Sequence, residues 1–152
     1  MKNNNLAVVG ATGNVGREIL NILEQRSFPI KKIHALASKK SEGTKLSYGN
    51  DKEITVEDLD KFNFKSVDIV LSSPGSNVSK KFVPIATKAG SIVIDNTSHF
   101  RMNKDIPLIV PEVNPEDLKS FKKKKVIANP NCSTIQMVIA LKHTDVLVVI
   151  KR

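Results

Sequence analysis

The sequence predicts an α/β fold, a doubly wound and mostly parallel sheet with helices on both faces. Three observations predict it. Short apolar runs alternate with stretches of helical periodicity along the chain, and strand, helix, strand in repetition builds a parallel sheet. The first apolar run ends in Gly10-Ala11-Thr12-Gly13-Asn14-Val15-Gly16, a glycine-rich turn leading into an amphipathic stretch. The chain has 152 residues, 40% hydrophobic and 26% charged, which is one domain's worth of ordinary globular composition.

Leu6 to Val9 is a short apolar run closed by glycine, the signal of a buried strand. Asn14 to Gln25 follows with Val15, Ile19, Ile22 and Leu23 spaced for one helix face. Lys32 to Ala37 reads as a second strand, Lys39 to Asp51 as a loop or hairpin, and Ile54 to Val56 as a short strand. Val67 to Leu71 is a strong strand, followed by the turn signal Pro74-Gly75. Ser76 to Lys88 reads as a helix with Val78, Phe82, Ile85 and Ala86 on one side. Pro84 inside it either kinks that helix or marks a start, and Gly90 caps its end. Ser91 to Asp95 is another strand. A short strand at Leu108 to Val110, a helix from Asn114 to Phe121, a strand at Val126 to Ala128 and a helix from Ser133 to Leu141 complete the order.

Several function classes are excluded early. No apolar run approaches the roughly 20 residues of a membrane span, and Met1 to Asn5 lacks the layout of a secretory signal. One cysteine forms no internal disulfide and suits a reducing cytoplasm. The net charge of +9 suits either nucleic acid or a small anion such as a phosphorylated cofactor. Part of it is the run Lys122 to Lys125, read as a solvated face before a strand. With 5% aromatics, no Trp and one Tyr, base-stacking platforms have little to build on. No zinc-finger or RNP-type motif is present, so neither a nucleic-acid partner nor a metal site is expected.

Ligands of such sheets bind outside the carboxyl ends of the strands. After the first strand, Gly10 allows a tight exit, Gly13 lets the backbone approach a pyrophosphate, and Gly16 lets the helix pack near the sheet. The helix N-terminus behind them offers N–H groups to phosphates. This is a Rossmann-like nucleotide-binding arrangement; the bland alternative is a tight turn without a ligand. After the second strand an NAD-binding domain usually carries an acid for the ribose hydroxyl. Here Ser38-Lys39-Lys40-Ser41 stands instead, and lysines with hydroxyls suit a 2′-phosphate. NADP is therefore the expected cofactor, with Glu42 as a partial counter-charge. Asn129-Pro130-Asn131-Cys132-Ser133-Thr134 joins a strand to a helix. Cys132 lies at or just before that helix N-terminus, where N–H groups favour the nucleophilic thiolate. The alternative is a buried, inert cysteine.

These motifs, together with Ile94-Asp95-Asn96-Thr97-Ser98, Phe100-Arg101-Met102 and Val110-Pro111-Glu112-Val113-Asn114, resemble aspartate-semialdehyde dehydrogenase from Leu6 to about Lys142. N-acetyl-glutamyl-phosphate reductase is the nearest rival, but its cysteine turn has glycine before the cysteine and an aromatic after it. The resemblance implies an NADP-binding domain over 1–131. Residues 132–152 would be the cysteine helix and a divergent tail, at the start of a catalytic and dimerisation domain. It implies NADP-dependent reductive dephosphorylation of aspartyl phosphate to aspartate semialdehyde through a thioester on Cys132, a step of lysine, threonine and methionine biosynthesis. By the same resemblance Gly10, Thr12, Gly13, Asn14 and Val15 cover the pyrophosphate. Ser38, Lys40 and Ser41 hold the 2′-phosphate, and Ser73 and Gly75 lie toward the nicotinamide. Arg101 binds phosphate bidentately, and Asn96 and Asn131 line the active site.

The chain departs from that pattern in places. Lys40 stands where the family has arginine and loses the planar fork. Ser72-Ser73-Pro74-Gly75-Ser76 has proline at 74 and serine at 76 where alanine and glycine are common. From His143 to Arg152 the sequence leaves the pattern, consistent with a frameshift or an early stop, and the family's catalytic histidine and most of its dimer surface are expected to be missing. His34 reads as packed in a strand. His143 lies about 16 Å along a helix from Cys132, which leaves His99 beside Arg101 as the one plausible neighbour. The expected activity of the chain alone is negligible, and a non-catalytic nucleotide-binding remnant of the same enzyme is the alternative function.

Overall fold

β1 (Asn4–Val9) sits at the centre of the sheet, and its alternation sets the two faces. Leu6 and Val8 face a cluster with Leu20 and Leu23, while Ala7 and Val9 face one with Phe82, Val83 and Ala86. All four strand residues are buried. In this computed structural model, which describes residues 3–49 and 52–145, the helices supplying those clusters are α1 (Asn14–Gln25) and α2 (Ser76–Lys88). They therefore cover opposite faces of one sheet.

The other strands are β2 (Ile30–Ala37), β3 (Lys45–Ser47), β4 (Glu53–Asp58), β5 (Ile69–Ser72), β6 (Ile92–Asp95) and β7 (Val126–Ala128), followed by α3 (Cys132–Asp145). Their order is β3-β4-β2-β1-β5-β6-β7, with every pair parallel except β3 against β4. The chain winds outward from β1 in one direction and then in the other, so the order reverses between β1 and β5. The register explains the burial. Val8 pairs with Ala35, which pairs with Val56, in the layer under α1. Ala7, Val70, Val93 and Val126 pair in a row under α2. The doubly wound class predicted by alternation is the fold found.

Details differ for physical reasons. The buried line of α1 is Gly16, Leu20 and Leu23, whereas Val15 and Ile22 are 45% and 38% exposed. The line is rotated because Gly16 is pressed against the exit of β1. In α2 the buried line is Ser79, Phe82, Val83 and Ala86, and Ile85 is outside. Pro84 lies within a continuous α2, on its exposed side. Gly90 follows the helix with φ +113°, the left-handed conformation of a helix-ending glycine. The expected strand at Leu108 to Val110 is a single parallel bridge, Leu108 to Ala128. Pro107 and Pro111 flank it, and proline has no N–H to extend a ladder. The expected helix from Asn114 is a 3₁₀ helix, Pro115–Lys123, with no buried residue. Without an apolar face to bury, nothing draws it into an α-helix. Glycine-containing 39–49 forms a 3₁₀ turn, Lys39–Ser41, and then β3 of a hairpin with β4. The tail beyond Asp145 lies outside the described residues.

The contact at Gly16 is the tightest constraint on α1. A Cβ there would stand 2.2 Å from the carbonyl oxygen of Gly10 and 2.7 Å from Cα of Ala11. Gly16→Ala is expected to lower unfolding free energy by about 1–3 kcal/mol, as overpacking does. Urea unfolding measures it, and an unchanged midpoint would show that α1 can slide away from β1.

Candidate functional site

The strand order reverses where β1 and β5 end side by side, and that reversal opens a cleft. Gly10 leaves β1 with φ +81°, and a Cβ there would meet the Ser73 carbonyl at 2.8 Å. Only a residue without a side chain lets the two strand exits lie so close. The Gly10 and Ala11 N–H groups both reach the Leu36 carbonyl, at 2.9 and 3.2 Å. Gly13 is the N-cap of α1 and no side chain caps it, so the first-turn N–H groups remain available to an anion. Gly75, φ +99°, starts α2 in the same way. The cleft holds about 400 Å³ and is lined by Gly10, Thr12, Gly13, Ala37, Ser38, Leu59, Asp60, Ser73, Pro74, Val78, Lys81 and Phe82. A larger cavity of about 530 Å³ lies off β4, beside His34, Glu57 and Phe62. It lies away from the switch point, where doubly wound sheets hold their ligands.

Several expected cofactor residues meet here. Gly10, Thr12, Gly13, Ser38 and Ser73 line the cleft. Asn14 and Val15 open α1 behind it, both exposed. Lys39, Lys40 and Ser41 form the single 3₁₀ turn after Ser38; both lysines are exposed, and none of the three lines the cleft. Glu42, the expected counter-charge, pairs with Lys61 at 3.5 Å, so it is held toward β4. Leu59, Asp60, Val78 and Lys81 were not legible as site residues. They come from a turn and a helix face that only the folded sheet brings to Ser38.

Beyond β5, one buried carboxylate organises the strand ends. Asp95 is fully buried at the end of β6. Its Oδ1 accepts from Ser72 Oγ at 2.7 Å and Ser79 Oγ at 2.8 Å, and its Oδ2 from Thr97 Oγ1 at 2.6 Å. Asn96 and Asn129 follow β6 and β7. Their side chains join, Asn129 Nδ2 donating to Asn96 Oδ1 at 2.7 Å, and Asn96 Nδ2 reaches Ser73 Oγ at 3.5 Å. Arg101 bridges the same two loops, with Nε donating to the Asn129 carbonyl and Nη2 to the Asn96 carbonyl, each at 2.9 Å. The edge of the guanidinium formed by Nε and Nη2 is thus occupied. A phosphate can be met only by the opposite edge, between Nη1 and Nη2.

Cys132 is the first residue of α3 and is exposed, which removes the buried, inert alternative. Asn131 caps that helix, its Oδ1 accepting from the Ser133 N–H at 3.0 Å. The Cys132 Sγ lies 3.9 Å from the same oxygen. Cys132 follows β7, two strands from β5, and strands about 4.8 Å apart put it roughly 10 Å from the end of β5. His34 is buried in β2 with Nδ1 2.6 Å from Glu57 Oε1, as a packed strand histidine. His99 is exposed, its ring edge-on to Phe100. His143 falls late in the continuous helix α3, and its side chain lies outside the described residues. Among the described residues no three His, Cys, Asp or Glu side chains form a metal site, and no helix is long and apolar enough to cross a membrane.

The family described as semialdehyde dehydrogenase, NAD binding domain, matches residues 5–121. The chain belongs to this family. That match covers the glycine turn, the Ser38 turn, the Asp95 hub and Arg101, and its description is that of a nucleotide-binding domain. An aspartate-semialdehyde dehydrogenase of Rickettsia bellii is 52% identical over 151 residues, 99% of this chain and 44% of the relative, so the alignment runs past Lys142. The structure of aspartate semialdehyde dehydrogenase II complexed with ASA from Vibrio cholerae is 48% identical, with a TM-score of 0.92, over 97% of this chain and 48% of that one. Aspartate semialdehyde dehydrogenase with NADP from Candida albicans is 28% identical, with a TM-score of 0.74, over 96% and 48%. The chain thus spans less than half the length of these relatives, which are oxidoreductases.

Exposure of Cys132 predicts its accessibility. Iodoacetamide should label it in native buffer without added denaturant. Labelling that appears only above the unfolding transition would mean that the turn 129–132 is covered in solution.

Proposed function

We propose that this domain binds NADP across the switch point and presents Cys132 as the nucleophile for reductive dephosphorylation of aspartyl phosphate to aspartate semialdehyde, in the cytoplasm. The observation that carries the proposal is the exposed thiol at the start of α3, joined through Asn129, Asn96 and Ser73 to the rim of the nucleotide cleft. The names of the relatives supply the substrate. Residues 1–131 make up the cofactor domain in this reading, and 132–152 begin a second part of the enzyme.

The proposed chemistry runs as thioester formation followed by reduction. Sγ of Cys132 attacks the acyl carbon of aspartyl phosphate, the carbon–oxygen bond to the phosphoryl group breaks, and phosphate leaves with the bonding pair. The free guanidinium edge of Arg101 holds that phosphate, and Asn96 and Asn131 flank the acyl group. NADPH, when bound in the cleft, would supply the hydride to the thioester carbon. The carbon–sulfur bond then breaks with its electron pair on Sγ of Cys132, which releases the aldehyde and returns the thiolate. Ser38, Lys40 and Ser41 hold the 2′-phosphate, while Thr12, Gly13, Asn14 and Val15 face the pyrophosphate, and Ser73 and Gly75 border the nicotinamide.

A second reading, a nucleotide-binding chain that does not turn over alone, is favoured by the histidines. His34 is buried and committed to Glu57, and His99 is exposed with its ring edge-on to Phe100. Proton transfer to the product needs a positioned acid within hydrogen-bond reach. An assay of the purified chain with aspartate semialdehyde, NADP and phosphate separates the readings. Negligible turnover with intact NADP binding is expected of the chain alone. Addition of a polypeptide with the remainder of a relative should restore turnover, and Cys132→Ser should abolish it. A rate in the ordinary enzyme range of roughly 1–1,000 per second without that addition would overturn the second reading.

Cofactor choice is tested separately. Charge-assisted contacts to a 2′-phosphate contribute about 1.5–3 kcal/mol each, so NADP should bind at least about tenfold more tightly than NAD. Calorimetric titration with both decides it, and equal affinities would refute the role of the Ser38 turn.

A further inference from the structure

Besides Ser38 the cleft is lined by Leu59 and Asp60, on the turn after β4, and by Val78, Lys81 and Phe82 of α2. A dinucleotide with its pyrophosphate at Gly13 and its ribose at Ser38 places its base here, because base and 2′ substituent sit on adjacent ribose carbons. The apolar walls suit a flat ring. Leu59 and Phe82 are buried, and Val78 presents an exposed face. Two opposite charges stand among them. Asp60 and Lys81 are both exposed and line the cleft. Neither carboxylate nor ammonium has a hydrogen-bond or ion-pair partner among the described residues. Their neighbours differ, since Lys61 takes both Asp58 and Glu42. The Asp60 backbone is fixed, its N–H donating to Asp58 Oδ1 at 3.1 Å.

We propose that Asp60 and Lys81 read the edge of the adenine, the carboxylate accepting from the exocyclic amine and the ammonium donating to the ring nitrogen N7. Adenine presents a donor beside an acceptor on that edge, whereas a purine with a carbonyl at the same carbon presents two acceptors. An ionised carboxylate can only accept, so it rejects the carbonyl base. A site that hydrogen-bonds a ligand group discriminates strongly against the analogue that lacks it. The inference rests on the cofactor reading above and adds to it a specificity for the base.

The test is calorimetric titration of the full chain with NADP, with NAD, and with the hypoxanthine analogue of NADP, in which a carbonyl replaces the amine. The natural chain should bind NADP about tenfold more tightly than the analogue. In Asp60→Asn the side-chain amide can donate to the carbonyl, and the two affinities should come within about twofold. Lys81→Ala should weaken NADP and NAD by the same factor, because N7 is common to both. A loss confined to NADP would move the ammonium to the 2′-phosphate and overturn its assignment. Equal binding of NADP and its analogue by the natural chain overturns the base-reading proposal and leaves the cofactor reading standing. No binding of any of the three overturns both. Both side chains are exposed, so thermal melting of the variants should match the natural chain.

Discussion

The buried carboxylate of Asp95 is the constraint on which the carboxyl end of the sheet depends. A charge without solvent is costly unless hydrogen bonds replace the water, and three hydroxyls do so here. Each comes from a different place: the end of β5, the first turn of α2 and the loop after β6. The carboxylate therefore sets how those three elements meet. Its backbone carbonyl also takes the Asn129 N–H at 2.8 Å, which places the strand end that leads to Cys132. The rim of the cleft and the turn that carries Cys132 are positioned from one residue.

The other end of the site is governed by contact distance alone. Gly10 and Gly16 let a strand exit, a helix and a neighbouring strand exit converge within the width of one side chain. The space gained is the switch-point cleft, and the uncapped N-termini of α1 and α2 open at its rim. The capped N-terminus of α3 differs, since Asn131 already satisfies a donor there. Two helices leave their first-turn donors without a side-chain cap, and the third uses its cap to shape the turn that carries the thiol. The overall fold is shared with the aspartate semialdehyde dehydrogenase II of Vibrio cholerae at a TM-score of 0.92.

Much of the site was legible because its residues are consecutive. Gly10 to Gly16, Ser38 to Ser41 and Asn129 to Thr134 are short segments after strands, and the fold class says that ligands bind after strands. The partners of Arg101 were not legible. Its guanidinium is tied to the carbonyls of Asn96 and Asn129, and backbone acceptors leave no mark in a sequence. Asp60 and Lys81 were also invisible, because they reach the cleft from a turn and a helix 21 residues apart. Helix faces were misjudged where apolar periodicity was read alone. In α2 a serine, Ser79, occupies the buried line because it bonds to Asp95, and in α1 a glycine does so because the sheet is too close for anything larger.

By itself the sequence determined the order of strands and helices, the parallel class, the glycine turn and the cysteine turn, since each rests on local periodicity or on conformations that few residues adopt. The tertiary structure decided which faces are buried, which guanidinium edge remains free and which distant side chains share the cleft. Those depend on contacts between segments far apart in the chain. The bridge at Leu108 and the 3₁₀ helix after Asn114 show the same division. Local propensity proposes an element, and the availability of a partner strand or a surface to bury decides whether it forms.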